Sequence, residues 1–410
     1  KVHNKENDIW AAVKVNVNGK QGNVQPKIVG GYNHFVALKA NGTVWTWGYN
    51  ANGELGLGDN QKRTEPTQVK AEITLEDGTT KEEEITDAID VAAGANHTLI
   101  LRKDGTVWAT GYNNKGQLGD GTTTSSNRFH KVKLNNNGDY LENIVAIAAG
   151  NVSSYALTKD GTVYSWGYNY YGSFGVGYTT SGNANYYPIQ MQKVSNIIQI
   201  SAGENHIALL DADGSVWQVG YNGNYQLGTN NSSNYSLPQQ MLDQTGTKIL
   251  YGVKEVSAGD QHTTVLKEDG TVWATGRNDY GQLGNGKTSK QNTLTQVKGP
   301  NGVGYLKDII AITAGNVSSY ALTKDGKVYS WGYNYYGNLG QGYGDNSAHT
   351  IPQKVQKVSN IIQISSGENY LAMLDADGSV WSVGYNGYGQ FGTGTTGSTG
   401  VAQQMKNSNN

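Results

Sequence analysis

The sequence predicts an all-β fold, a seven-bladed β-propeller of four-stranded antiparallel blades. Three observations predict it. One unit is written seven times along 410 residues. Each copy carries a D-G or N-G pair between two apolar runs of strand length. The composition, 56 Gly against 6 Pro, is that of many short strands joined by tight turns.

The unit reads G-x-x-H/S-x-x-A/I-L-x-x-D-G-x-V-W/Y-x-x-G-Y-N-x-x-G-x-L/F-G. Its leading glycines are Gly31, Gly94, Gly150, Gly203, Gly259, Gly315 and Gly367. An aromatic residue follows each turn: Trp45, Trp108, Tyr164, Trp217, Trp273, Tyr329 and Trp381. The stretch from Ala149 to Gly172 recurs from Ala314 with Thr162 replaced by Lys327. Repeats two to four therefore match repeats five to seven in order, the mark of a duplicated three-blade block.

Each unit divides into four strands. In the fourth repeat the first is Ile197–Ser201, the second His206–Leu210 and the third Ser215–Val219. The D-G pair between the second and third marks a hairpin, because both positions tolerate positive φ. The fourth strand is short and begins near a proline, as at Pro66, Pro188, Pro238 and Pro352. Proline suits an outer edge, where no ladder partner needs its missing N–H. One such sheet cannot bury both faces, whereas seven stacked radially can. The aromatic and aliphatic residues then pack between blades, each buried side chain contributing roughly 1.5–3 kcal/mol.

The organisation expected is one domain over residues 1–410. Residues 1–27 hold a strand, Ile9–Val15, that latches the seventh blade, whose own last strand near Val401–Met405 is weak. Residues 28–405 hold the seven repeats, and 406–410 a polar tail. Val69–Ile89 is an insertion read as a projecting hairpin, with Glu82-Glu83-Glu84 as a solvated strand face.

These residues carry a family resemblance. G-x-x-H, then A-L, then D-G-x-V-W-x-W-G-x-N-x-x-G-Q-L-G resembles the repeat of the regulator of chromosome condensation family. GYNHFVALKANGTVWTWGYNANGELG from Gly31 and GANHTLILRKDGTVWATGYNNKGQLG from Gly94 are the clearest copies. The resemblance implies the propeller fold more firmly than any one function. The family includes a nucleotide exchange factor, a plant ultraviolet-B receptor and secreted bacterial inhibitors of β-lactamases. The receptor's G-W-R-H-T loops have no counterpart in Gly31-Tyr32-Asn33-His34 or Gly203-Glu204-Asn205-His206. The near-identical repeats and the Asn- and Tyr-rich composition look most like the bacterial, secreted branch.

Antiparallel alternation sorts the loops. The G-x-x-H and G-Y-N loops share one face, and the D-G turns lie on the other. The first face is the candidate binding surface. Its G-x-x-H loops supply Tyr32, Asn33, Asn96, Asn151, Glu204, Asn205, Asp260, Gln261, Asn316, Glu368 and Asn369. Its G-Y-N loops supply Tyr49, Tyr112, Tyr168, Tyr221, Tyr333 and Tyr385, with Arg277 breaking the pattern. Further out lie Tyr170, Tyr171, Tyr280, Tyr335, Tyr336 and Tyr388. Tyrosine offers large contact area at low entropy cost, and asparagine adaptable hydrogen bonds. The repeated tyrosines also have a second reading, as rim residues covering the seams between blades.

Catalytic signatures are missing from the sequence: there is no G-x-S-x-G elbow and no phosphate loop. His34, His97, His206 and His262 share one repeat position with Ser153, Ser318 and Tyr370, and read as structural hydrogen-bonding residues rather than metal ligands. With no Cys, thiolate metal sites are excluded. A formal net charge of −2 favours neither nucleic acid nor an anionic membrane, and no apolar run reaches bilayer length. The expectation is a monomeric, secreted or surface-exposed, non-catalytic module without cofactor or metal. Its partner is another protein, one version being a β-lactamase or penicillin-binding enzyme that it inhibits. The alternatives are a glycan or cell wall as ligand, or a structural unit of a larger surface protein.

Overall fold

The computed structural model describes residues 24–74, 80–180 and 185–406. Within them the chain forms seven four-stranded antiparallel sheets, each built from four strands consecutive in sequence. In the first blade these are Lys27–Gly30, His34–Leu38, Val44–Gly48 and Arg63–Gln68. First strands touch those of neighbouring blades around the axis, and Lys27–Gly30 meets Ile361–Ser366 of blade seven to close the ring. The insertion is a hairpin of Lys70–Thr74 against Thr80–Glu84, as expected from its sequence. Glu82 on it pairs with Arg128 of blade two at 2.8 Å.

The core lies in seven seams, one between each pair of neighbouring blades. Second strands are buried along nearly their whole length, as in His206–Asp211, because both of their faces look onto a seam. The aromatic residue after each turn is only half-buried and packs at the margin of a seam. Trp217 is one of these. The fully buried tryptophans among the described residues are Trp47, Trp166 and Trp331, two residues further on. Residues two apart share one face of a strand, and both rings enter the same seam, the later one deeper. Trp47 crosses to blade seven, where its Nε1–H donates to the Gln390 carbonyl at 2.7 Å.

The D-G hairpin differs from the expected turn. Gly105 has φ +79°, whereas Asp104 keeps ordinary negative φ. The Gly105 amide donates to the Arg102 carbonyl at 2.9 Å and the Arg102 amide to the Thr106 carbonyl at 3.0 Å, which makes a three-residue loop with glycine in the left-handed position. Asp104 Oδ1 accepts from the Thr106 amide at 2.9 Å. The aspartate caps the turn with its side chain and has no need of positive φ.

The prolines lie on the outer edge, as expected, but in the second half of each strand and not near its start. Pro66, Pro188, Pro238 and Pro352 occupy outermost strands, each in a stretch where the ladder is interrupted. The last strand of blade seven is six residues long, Thr399–Gln404 pairing with Val380–Gly384 with the same interruption as the other outermost strands. All four strands of that blade therefore come from its own repeat. Ile9–Val15, expected as a latch, lies outside the described residues.

Candidate functional site

The loops do fall on two faces. On the face shared by the G-x-x-H and G-Y-N loops, the residues picked from the sequence form three concentric rings. The innermost comprises the residues that follow the leading glycines: Tyr32, Ala95, Asn151, Glu204, Asp260, Asn316 and Glu368. They surround a cavity of about 80 Å³ on the propeller axis. The glycines below them leave no room for a side chain: a Cβ on Gly203 would stand 2.2 Å from the Gly259 carbonyl oxygen of the next blade.

The inner ring is acidic and tightly linked. Burial, reinforced by Glu204 and Glu368, pushes the Asp260 carboxyl up to about 8; the Tyr32 hydroxyl and Arg277 pull against that rise. Tyr32, in blade one, hydrogen-bonds Asp260, in blade five; its phenol is held far above its usual range by burial, then by the three carboxylates. Burial also raises Glu368, while Asn316 and Asn369 hydrogen-bond its charged form and oppose the shift. Among the described residues no three or more His, Asp or Glu come together as a metal-ligand set.

The second ring holds Asn33, Asn96, Asn205, Gln261 and Asn369, whose carbonyls fasten the outer loops. The Tyr49 amide donates to Asn33 O at 2.8 Å, Tyr112 to Asn96 O at 2.8 Å, Tyr221 to Asn205 O at 2.9 Å, Arg277 to Gln261 O at 2.9 Å and Tyr385 to Asn369 O at 2.9 Å. The Gln261 side chain is a hub. Its Nε2 donates to Glu204 at 3.2 Å, and its Oε1 accepts from Asn224 at 2.8 Å and Arg277 at 3.4 Å. Arg277 itself is ion-paired with Asp279 at 2.8 Å.

In the outer ring the tyrosines meet across seams by a simple rule. The fourth residue of one Gly-Tyr-Asn loop, counting from its glycine as zero and thus two after the asparagine, contacts the tyrosine of the next blade. Tyr171–Tyr221, Tyr280–Tyr333, Tyr336–Tyr385 and Tyr388–Tyr49 have centroids 4.8, 4.4, 4.8 and 4.8 Å apart. Lys115 takes the same position over Tyr168, 5.4 Å from its centroid. The rim reading of the repeated tyrosines is therefore correct for these contacts.

Comparison with known proteins shows the family of the repeats and the propeller fold. The model of the RCC1-like domain matches residues 76–409, and that of the regulator of chromosome condensation (RCC1) repeat matches residues 41–101 and, in a second version, 27–54. The chain belongs to the RCC1-like family. It is 29% identical over 347 residues to the mouse E3 ubiquitin-protein ligase HERC2, covering 84% of this chain but only 7% of that protein. It is 29% identical to the Arabidopsis thaliana ultraviolet-B receptor UVR8, over 87% of this chain and 76% of the receptor. It is 26% identical to the human regulator of chromosome condensation, over 84% and 81%. Among solved structures, yeast RCC1 (Prp20) bound to Kap60 aligns with a TM-score of 0.73 at 22% identity, covering 100% of this chain and 89% of that one. Human WBSCR16 aligns with a TM-score of 0.72 at 21% identity, over 89% and 94%.

Two features of this RCC1-like propeller escaped the sequence reading of the site. The asparagine of every G-Y-N loop is fully buried: Asn50, Asn113, Asn169, Asn222, Asn278, Asn334 and Asn386. Each Oδ1 accepts the amide five residues on, as Leu283 to Asn278 at 2.9 Å, and each Nδ2 donates to the carbonyl nine residues on, as Asn278 to Lys287 at 2.9 Å. The signal was present in the repeat, but it marked tyrosine and asparagine alike. The second feature is the partner of each histidine, a hydroxyl of the next blade: Thr98, Ser154, Thr263 and Ser319, at 3.0, 2.9, 3.0 and 2.8 Å. These histidines lie inside the seams, away from the loop surface.

Proposed function

We propose that this RCC1-like propeller is a non-catalytic binding module that recognises another protein through the face bearing the G-x-x-H and G-Y-N loops. The observation that carries this reading is the pair Tyr170 and Tyr335. They are 50% and 51% exposed on that face, at a loop position filled elsewhere by Ala51, Asn114, Gly223, Asp279 and Gly387. Folding of the loop makes no demand for a ring there, whereas tyrosine is enriched at protein interfaces. Relatives support the class of function: yeast RCC1 was solved with Kap60, and Prp20p was studied for binding to Gsp1p and histones. A monomer acting outside the cell or at its surface, with a β-lactamase or penicillin-binding enzyme as the inhibited partner, is the finer version of this proposal. It rests on the resemblance of the repeats to the secreted bacterial propellers.

A photo-crosslinking amino acid placed at Tyr335 should trap a partner protein from the native setting, and one placed at Lys324 on the opposite face should not. The adduct should vanish on replacing Tyr170 with serine in the same chain. Equal trapping from both faces would overturn the loop-face assignment. A glycan array read in parallel tests the second reading, which the exposed tyrosines also favour because sugars stack on aromatic rings. Tyrosine-dependent glycan capture without a protein adduct would replace the first reading by the second.

A further inference from the structure

The outer tyrosines do more than meet in pairs. From blade five to blade one they make an unbroken run: Tyr280, Tyr333, Tyr335, Tyr336, Tyr385, Tyr388 and Tyr49, with successive centroids 4.4 to 6.1 Å apart. Seam closure does not require this arc. The seam between blades one and two has Asn52 at the contacting position, and that between blades four and five has Asn224, yet both seams carry a full apolar core. The arc is aromatic surface beyond what the fold needs.

Its inner border is negatively charged. Glu368 stands one residue inward of Asn369, whose carbonyl holds the Tyr385 amide, and its charge is felt at Tyr385. Glu204 continues this border around the cavity. The partners that Glu204 and Glu368 have are neutral amides, from Gln261 and from Asn316 and Asn369. Aromatic faces and carboxylates attract the same kind of group, a cation. The molecule already places cations on rings of this surface, with Arg277 5.6 Å from the centroid of Tyr280 and Lys115 5.4 Å from that of Tyr168.

We propose that the tyrosine arc is the docking surface for a protein segment that presents arginine or lysine side chains among apolar ones. The apolar side chains lie along Tyr333, Tyr335 and Tyr385. The cationic ones lie over ring faces and point inward to Glu368 and Glu204. This rests on the loop-face reading above and specifies the chemistry of the partner.

The test uses the full chain and two fluorescein-labelled peptides, one alternating arginine with leucine and one with glutamate in place of arginine. Fluorescence anisotropy should show binding of the arginine peptide alone, weakening as salt is added. Tyr335→Ser and the double variant Glu204→Gln, Glu368→Gln should each weaken binding by about tenfold or more, a factor set by roughly one good contact. Tyr335 is half-exposed, so its variant should fold, which a circular dichroism spectrum like that of the unaltered protein would check independently. Equal binding of both peptides, or an unchanged affinity in the carboxylate variant, overturns the proposal. If the glutamate peptide binds instead and Tyr335→Ser abolishes it, the loop face stands and the charge assignment falls. Binding of either peptide that ignores Tyr335→Ser removes both.

Discussion

The histidines show how much a single buried residue determines. Thr98 Oγ1 donates its proton to the Glu54 carbonyl at 2.7 Å, so it can only accept from His34. Ser154, Thr263 and Ser319 likewise donate to the carbonyls of Gln117, Gln226 and Gln282, each at 2.8 Å. The four imidazoles are thereby fixed as Nε2–H tautomers. Their Nδ1 atoms are buried without a partner. Protonation there would bury a charge and an unsatisfied donor, and burial accordingly lowers His34, His206 and His262 to about 3 and His97 to about 4. In the unfolded chain each titrates near 6.5. Above that pH both states are neutral and stability is complete. Below it only the unfolded state takes up protons, so stability falls as pH drops from about 6.5 toward about 4, by up to about 1.4 kcal/mol per pH unit for each histidine. Asp260, raised to about 8, acts in the opposite sense, as do the less strongly raised Glu54 and Glu368, against four histidines that shift together. Urea midpoints measured between about pH 7.5 and about pH 5 should decline, and His97→Ser, the residue blades three and six use, should decline less steeply. Equal slopes would show that His97 is not held neutral.

At the scale of the element, the G-Y-N loop depends on its asparagine. In blade five the loop runs for more than ten residues without regular structure, and in all seven copies one buried amide ties position five and position nine to itself. Asn278→Ala removes the donor to the Lys287 and Ser289 carbonyls and the acceptor of the Leu283 amide, leaving that buried amide unsatisfied. The expected loss is about 1–3 kcal/mol in urea denaturation. Asn114→Ala, exposed in the same kind of loop, should change stability by less than about 0.5 kcal/mol. Strands, hairpins and the inserted hairpin were legible because period-two alternation and D-G pairs are local signals. Depth was not. Repetition marked Trp45 and Trp217 as core residues, yet Trp47, present in only three of the seven repeats in tryptophan form, lies deeper. Repeated positions report what every blade needs, and the size of a seam-filling side chain is free to differ from seam to seam.

At the scale of the whole molecule, the ring closes through side chains contributed by its two terminal blades. Blade seven has Tyr370 where four blades have histidine, and its hydroxyl lies 2.7 Å from the Gly31 carbonyl and 2.9 Å from that of His34. Phe35 packs on Tyr370 with centroids 4.6 Å apart, and Trp47 stacks on Phe35 at 5.3 Å. Phe35, Trp47 and Tyr370 gather in a single seam with Phe391 and Met405, the richest in aromatic rings of the seven. The sequence showed Tyr370 only as an exception to a pattern, because its partners are more than 330 residues away. The candidate face was legible for the same reason that this seam was not: strand alternation sorts loops locally, whereas closure joins the far ends of the chain. The arrangement predicts where the molecule opens first. In a closed ring every blade has two neighbours, and loss of one seam leaves blades one and seven with one each, like the terminal repeats of an open stack. Tyr370→Ala combined with Trp47→Ala should therefore speed hydrogen exchange first in Lys27–Gly30, His34–Leu38 and Tyr370–Asp375, while His206–Asp211 of blade four stays protected. The corresponding aromatic pair of blade three, Tyr155→Ala with Trp166→Ala, weakens two interior seams, those with blade four and blade two, and should shift the early exchange to blades two, three and four. Uniform acceleration in both variants would mean that the torus unfolds as one unit regardless of which seam is cut.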